Sequence, residues 1–164
     1  EFEARLPAEI RLAYLPSYGV IKLRLTATGK DKESLTELVD KQVEKLYSII
    51  PDLIYSIDET PIEAAIGDLL KERKNNLCTA ESCTGGYIAS QITGLAGSSG
   101  YFLGSVVSYA NSVKENVLGV SSGTLLSHGA VSTPCAEEML DGVLRVIGSD
   151  VAVAVTGIAG PGGG

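Results

Sequence analysis

The chain is poor in the residues that build metal centres, disulfide frameworks and histidine-based catalysis. It has one histidine, His128, and three cysteines, Cys78, Cys83 and Cys135. The cysteines are odd in number and lack C-x-x-C spacing, so they read as free thiols in a reducing compartment, not as a disulfide framework or a zinc site. His128 precedes Gly129 in an expected turn and reads as structural, which leaves no basis for a Ser-His-Asp triad. Cations are also scarce: 13 Lys and Arg against 20 Asp and Glu give a net charge of −7. That balance argues against a nucleic-acid or anionic-membrane surface, since both need clustered Lys and Arg. No apolar run reaches the length of a membrane span, at least about 18 residues, and no signal-peptide pattern is present. A soluble cytoplasmic protein is expected.

What is present is apolar residues at 45% over 164 positions, enough for one ordinary domain or two small globular ones. The chain opens at Glu1 without methionine and stops inside the glycine-rich run Gly160-Pro161-Gly162-Gly163-Gly164, so a piece of a longer protein is expected. Residues 1–59 read as a small α+β unit. Ile10 to Leu15 is a strand candidate, and Val20 to Ala27 alternates, with Ile21, Leu23 and Leu25 on one face. Asp31 is an expected N-cap for a helix whose face is Leu35, Leu38, Val39, Val43, Leu46 and Ile50, ended by Pro51; Leu53 to Ile57 then reads as a further strand. Lys22, Arg24, Lys30 and Lys32 fit a solvated strand face and turn. Thr60-Pro61-Ile62-Glu63 is a capping box with proline at the first helical position, which puts the domain boundary at about residue 59.

Residues 60–164 read as an α/β layered domain. From residue 77 onward glycine is abundant and the only cations are Lys114 and Arg145. Strands are expected at Leu77 to Ala80, Tyr101 to Tyr109 and Val151 to Thr156, with helices near 84–93, 112–118 and 133–147. The all-apolar run Val151 to Val155 fits a strand covered on both faces. In such sheets ligands bind where loops leave the strand ends, and three loops gather there: Ser82 to Gly86, Tyr109 to Lys114, and Thr156 to Gly164.

The first of these, Thr79-Ala80-Glu81-Ser82-Cys83-Thr84-Gly85-Gly86, is a strand-to-helix turn. It reads either as a plain turn capped by Ser82 or Thr84, or as a site with a nucleophile beside free backbone N–H groups. Ser82 and Cys83 are rival nucleophiles, of which strand alternation would let only one face a ligand. With Asn111 as N-cap, Lys114 falls in the first helical turn, where the dipole and any desolvation lower its pKa and make it a general base for Ser82. The alternative is an ordinary solvated lysine. Tyr109 is placed to relay a proton or orient the pair, and N–H groups after Ser82 to hold an oxyanion. The loop from Thr156 offers N–H groups to a phosphate but matches neither a P-loop nor G-x-G-x-x-G.

These blocks, with Ala96-Gly97-Ser98-Ser99, Tyr109-Ala110-Asn111-Ser112-Val113-Lys114, His128-Gly129-Ala130-Val131-Ser132 and Thr156-Gly157-Ile158-Ala159-Gly160-Pro161-Gly162-Gly163, closely resemble the C-terminal domain of the CinA (competence/damage-inducible) family, a nicotinamide-nucleotide amidase. Residues 1–58, with Leu12-Ala13-Tyr14-Leu15-Pro16 and Lys22 to Gly29, look like that family's middle, KH-like domain. The resemblance implies a KH-like unit at 1–59 and a three-layer α/β/α amidase domain at 60–164 with a largely parallel or mixed sheet, incomplete at its C-terminus and lacking the family's N-terminal domain. It implies hydrolysis of the carboxamide of nicotinamide mononucleotide to nicotinic acid mononucleotide and ammonia. Carried onto this chain, Ser82 is the nucleophile, Lys114 the base and Tyr109 the assisting hydroxyl. Thr84, Gly85, Gly86, Thr156, Gly157 and Gly160 are expected substrate contacts. A homodimer is expected through the same resemblance. The other reading is a non-catalytic nucleotide-binding or regulatory module. RNA binding by the KH-like part is disfavoured by the acidic balance, and Gly29 is not followed by a G-x-x-G clamp.

Overall fold

Alternation of apolar residues with period two, then 3.6, predicts strands and helices that bury one face each, and the observed mixed α/β architecture follows from it. The structure, a computed structural model, describes residues 2–17 and 19–160. It divides into two units, residues 1–59 and 60–164.

In the first unit β1 (Ile10–Ser17) and β2 (Val20–Ala27) form an antiparallel hairpin in register from Ile10↔Ala27 to Ser17↔Val20. Gly19, with φ +76°, supplies the left-handed residue that so short a connection needs. Helix α1 (Lys32–Ile49) is capped by the Asp31 side chain, which accepts from the Glu33 N–H, and packs on β2. Its inward stripe is the expected one with Gln42 inserted into it, a buried polar residue that the apolar spacing passes over. Leu53 to Ile57 is not a strand. Pro51–Leu53 is a 3-10 turn, and beyond it the Asp58 N–H bonds the Ser56 hydroxyl. Local side-chain bonding there replaces a ladder, and Leu53 and Ile57 are left 77% and 76% exposed.

The second unit is built on β3 (Leu77–Glu81), the centre of a parallel three-stranded sheet in the order β4-β3-β5, with β4 at Phe102–Val107 and β5 at Val151–Val155. Period two sends alternate β3 side chains to opposite layers. Cys78 and Ala80 join Leu118, Val120, Cys135, Met139 and Val143, most of them from α6 (Thr133–Ile147) and the segment before it. Leu77 joins Leu70, Ile92 and Tyr101 on the other side, under α2 (Ile62–Arg73) and α3 (Tyr87–Thr93). The result is three layers with every β3 residue buried.

Four local expectations are corrected. Pro61 is not the first helical residue but the extended residue before α2, and its carbonyl accepts from the Ala64 and Ala65 N–H groups as the helix opens at Ile62. β5 is not covered on both faces: Ala152 and Ala154 pack against the core, while Val151 and Val153 remain 37% and 40% exposed on the face that α2 and α3 do not reach. His128 does not sit in a turn but ends α5 (Ser122–His128), a short helix that hydrophobic spacing does not reveal. Its serines and internal Gly123 blur the period; the Ser121 side chain caps it, accepting from the Thr124 N–H at 3.0 Å.

The fourth concerns the turn after β3. Neither Ser82 nor Thr84 caps α3. That role falls to Glu81, fully buried, whose carboxylate accepts from Ile88 N at 3.0 Å and Ala89 N at 2.8 Å, and from the Thr79 hydroxyl at 3.2 Å. Burial pushes its pKa up, but the two backbone N–H donors and neighbouring hydroxyls outweigh it and hold the carboxyl below its ordinary value of 4.5. A carboxylate with a lowered folded pKa stabilises the fold above its unfolded pKa and loses that contribution as pH falls through the folded one. Glu81→Gln should therefore lower stability at neutral pH by about 2 kcal/mol and flatten the acid limb of the stability curve. Equal denaturant midpoints for the two proteins at pH 7 would refute this role.

Candidate active site

The end of β3 delivers Ser82, and the end of β4 delivers the loop that leads to Lys114. Parallel pairing of Glu81 with Val107 brings these two ends side by side. After β4 the chain makes one helical turn at α4 (Asn111–Val113) and then a π-turn over Lys114–Leu118, closed by Gly119 with φ +75°. A π-turn of this kind rotates side chains off the ordinary helical path and recurs at functional sites. Lys114 is thereby turned inward, 1% exposed.

Its Nζ lies 2.9 Å from Ser82 Oγ and donates to the Ser108 carbonyl at 2.7 Å. No carboxylate stands against it: among the described residues the ion pairs are Lys22 with Glu59 and Lys71 with Asp68. Desolvation is the main influence on the amine and lowers its pKa, opposed by the thiols of Cys135 and Cys83 nearby. Of the two expected causes, desolvation is the one that acts, and the N-cap is Ala110 and not Asn111. Burial lowers the lysine, and the solvated-lysine alternative falls with it. An amine inclined to be neutral can donate to the Ser108 carbonyl and still accept the Ser82 hydroxyl proton.

The pair opens into a pocket of about 150 Å³. Ser82, Cys83, Tyr109, Asn111 and Lys114 line one part, and Ala130, Val131, Thr156, Gly157 and Ala159 the other. Of the expected contacts, the pocket gathers Thr156 and Gly157; Thr84, Gly85, Gly86 and Gly160 are not among its lining residues. The Thr156 hydroxyl is committed to the Ala130 carbonyl at 2.7 Å and braces two loops against each other. Tyr109 stands at the mouth, 70% exposed. Cys83 and Ser82 both reach the pocket, contrary to strand alternation, because β3 ends at Glu81 and both lie in the turn. The glycine run 161–164 falls outside the described residues.

The supply of anion-binding N–H groups is narrower than the turn suggested. Ser82 N bonds the Val155 carbonyl, Gly85 N the Ser82 carbonyl, and Tyr87 N the Thr84 carbonyl, while Glu81 takes the first α3 donors. Cys83, Thr84 and Gly86 keep N–H groups without a partner among the described residues. The helix N-terminus itself is already neutralised by Glu81, so an oxyanion has the turn to use and not the α3 dipole. The Thr84 hydroxyl is buried below that turn beside the Glu81 carboxylate, which it helps to keep ionised, without meeting strict hydrogen-bond geometry.

Comparison with known proteins agrees with this arrangement of two units. Residues 59–164 match the CinA C-terminal domain, and residues 3–56 match the damage-inducible protein CinA KH domain. The chain belongs to the CinA family. The CinA-like protein of Flavobacterium psychrophilum is 48% identical over 161 residues, covering 98% of this chain and 38% of the relative. That of Amoebophilus asiaticus is 44% identical over 163 residues, 99% of this chain and 39% of the relative. The chain thus spans about two fifths of the length of these curated CinA-like relatives. The crystal structure of competence damage-inducible protein A (ComA) from Klebsiella pneumoniae superposes with a TM-score of 0.62 at 42% identity, over 63% of this chain and 64% of that one. The competence/damage inducible protein CihA from Agrobacterium tumefaciens does so at 0.59 and 45% identity, over 63% and 62%. Among the described residues of this CinA-family chain, no helix is long and apolar enough to cross a membrane.

Sequence reasoning missed Glu81 as a cap, Asn111 as a pocket residue, and Ala130, Val131 and Ala159 as lining. The acidic position at the end of a buried strand, immediately before a turn, was the available signal for Glu81. Asn111 and Ala159 lie in loops expected at the strand ends but were not singled out as contacts, and Ala130 and Val131 carry no chemistry that would single them out.

Proposed function

We propose that the second unit hydrolyses the carboxamide of nicotinamide mononucleotide, giving nicotinic acid mononucleotide and ammonia. The observation that carries this reading is a buried lysine amine with no counter-charge, 2.9 Å from a serine hydroxyl at the floor of an open pocket. Neutral Lys114 takes the Ser82 proton as Oγ attacks the amide carbon. The oxygen that gains charge is held by backbone N–H groups of the turn, with Cys83 and Thr84 the available donors. Protonated Lys114 then gives its proton to the departing nitrogen, and the C–N bond breaks to release ammonia. Water, deprotonated by the same amine, attacks the acyl-Ser82 ester and leaves a carboxylate and free serine. Tyr109 at the pocket mouth assists proton delivery. The choice of pyridine nucleotide rests on the family resemblance, and so does action as a homodimer.

The test is ammonia release from nicotinamide mononucleotide by the chain and by its Ser82→Ala variant, each with nucleotide affinity measured in parallel. The expected result is release by the parent alone, with binding retained in the variant. Binding without release in either protein would instead favour a nucleotide-binding regulatory module.

A further inference from the structure

Sequence spacing puts Asn111 at the cap of the helix that carries Lys114, yet Ala110 takes the cap position and no side-chain cap bond is made. The Asn111 side chain has no hydrogen-bond partner among the described residues and lines the pocket beside Ser82 and Lys114. Its backbone is well fixed, since Val113 N and Lys114 N both bond the Ala110 carbonyl at 3.1 and 3.3 Å.

Asn111 is itself exposed, and the other polar groups of the pocket are engaged with one another or carry no amide. Ser82 and Lys114 hold each other, Thr156 holds Ala130, and Tyr109 is mostly exposed. Asn111 therefore brings the one side-chain amide of the pocket's described lining, with an acceptor and two donors unspent.

We propose that Asn111 reads the substrate's carboxamide and distinguishes it from the carboxylate product. This rests on the amidase reading. The Asn111 Oδ1 accepts from the substrate NH2 while its Nδ2 donates to the substrate carbonyl, a matched pair that a carboxylate, which has no donor, can meet only by half. Once ammonia has left and the acid has formed, that contact is lost and product leaves more readily. A site built around a donor–acceptor match separates analogues that differ in that one group far better than an apolar wall does.

Binding isolates this from catalysis. Affinities for nicotinamide mononucleotide and nicotinic acid mononucleotide are measured by calorimetry on Ser82→Ala, which cannot turn over, and on Ser82→Ala with Asn111→Ala, alongside thermal melting of both. Ser82→Ala should favour the amide by about 10-fold or more, and the double variant should lose most of that preference, largely through weaker amide binding. An unchanged preference in a double variant that melts normally overturns the proposal, as does equal affinity for both nucleotides in Ser82→Ala. Asn111→Asp keeps the acceptor for the substrate NH2 and loses the donor, so amide binding should fall moderately, acid binding should fall further by charge repulsion, and the preference for the amide should persist. Ammonia release by the unsubstituted chain is scored separately, so the amidase reading can fail while the selectivity of Asn111 stands.

Discussion

Lys114→Met is expected to lower ammonia release from nicotinamide mononucleotide by at least about 10³-fold while leaving the fold as stable as before, or more stable. The two halves of this result have one cause. Lys114 is 1% exposed, and among the described residues its amine has no carboxylate partner and bonds Ser82 and the Ser108 carbonyl. A methionine of similar length fills the same space without a group that must be kept neutral or desolvated, so a gain of about 1 kcal/mol is reasonable against the lost bond to Ser108. Its thioether cannot take the Ser82 proton, so the nucleophile is left unactivated.

The pH dependence fixes the sign. Burial places the folded pKa of Lys114 below 10.5, its ordinary value. Between the folded and unfolded values the unfolded chain binds more protons, so the stability of the parent rises with pH across that window. Below the folded pKa the full cost of the buried charge is present. The advantage of Lys114→Met should therefore be greatest at neutral or lower pH and shrink toward pH 10.5. Chemical denaturation of both proteins at several pH values measures this. A variant less stable than the parent by more than about 2 kcal/mol at pH 7 would mean that the buried amine stabilises the fold and that its desolvation costs little.

Gly142→Ala is expected to destabilise the second unit by about 3 kcal/mol or more and to remove activity without touching a pocket residue. Gly142 lies on the buried face of α6 where the helix meets the end of the π-turn. A Cβ there would collide with the Leu118 carbonyl oxygen and stand 2.8 and 2.9 Å from Leu118 C and Cα. Those are backbone atoms and cannot swing aside like a side chain. The same carbonyl is gripped by Arg145 Nη2 at 2.8 Å, so relief has to come from separating α6 from the turn. That turn begins at Lys114. A shift of even about 1 Å at its far end disturbs the Lys114–Ser82 distance on which proton transfer depends. Thermal melting and ammonia release measured together check it; a variant that melts within a degree or two of the parent would show that α6 and the turn yield more easily than close packing allows.

Much of the fold is legible in the sequence because hydrophobic period is a local property. β2 and α6 appear over the expected residues, and α1 carries the expected stripe. Failures fall where a pattern lacks a partner. Leu53 to Ile57 has strand composition but no neighbouring strand among the described residues, and β5 is apolar throughout although Val151 and Val153 on one face stay 37% and 40% exposed. The turn after β3 misleads because Ser82 and Thr84 are good local caps, while the helix takes the carboxylate of Glu81 from the preceding strand.

For the site, the order of residues is enough to show which of them have the right chemistry: a serine after a buried strand, a single lysine in a region nearly free of cations, and glycines that let the turn close. What those residues are to one another depends on the folded chain. Parallel pairing of β3 with β4 sets Ser82 beside the segment carrying Lys114, and the π-turn buries the amine away from any counter-charge. Those are contacts across 32 residues, between strand ends that adjoin only once the sheet has formed. Burial and distance, which govern the lysine's pKa, have no local signature, so the sequence leaves Lys114 open to a surface reading that its burial in the fold removes.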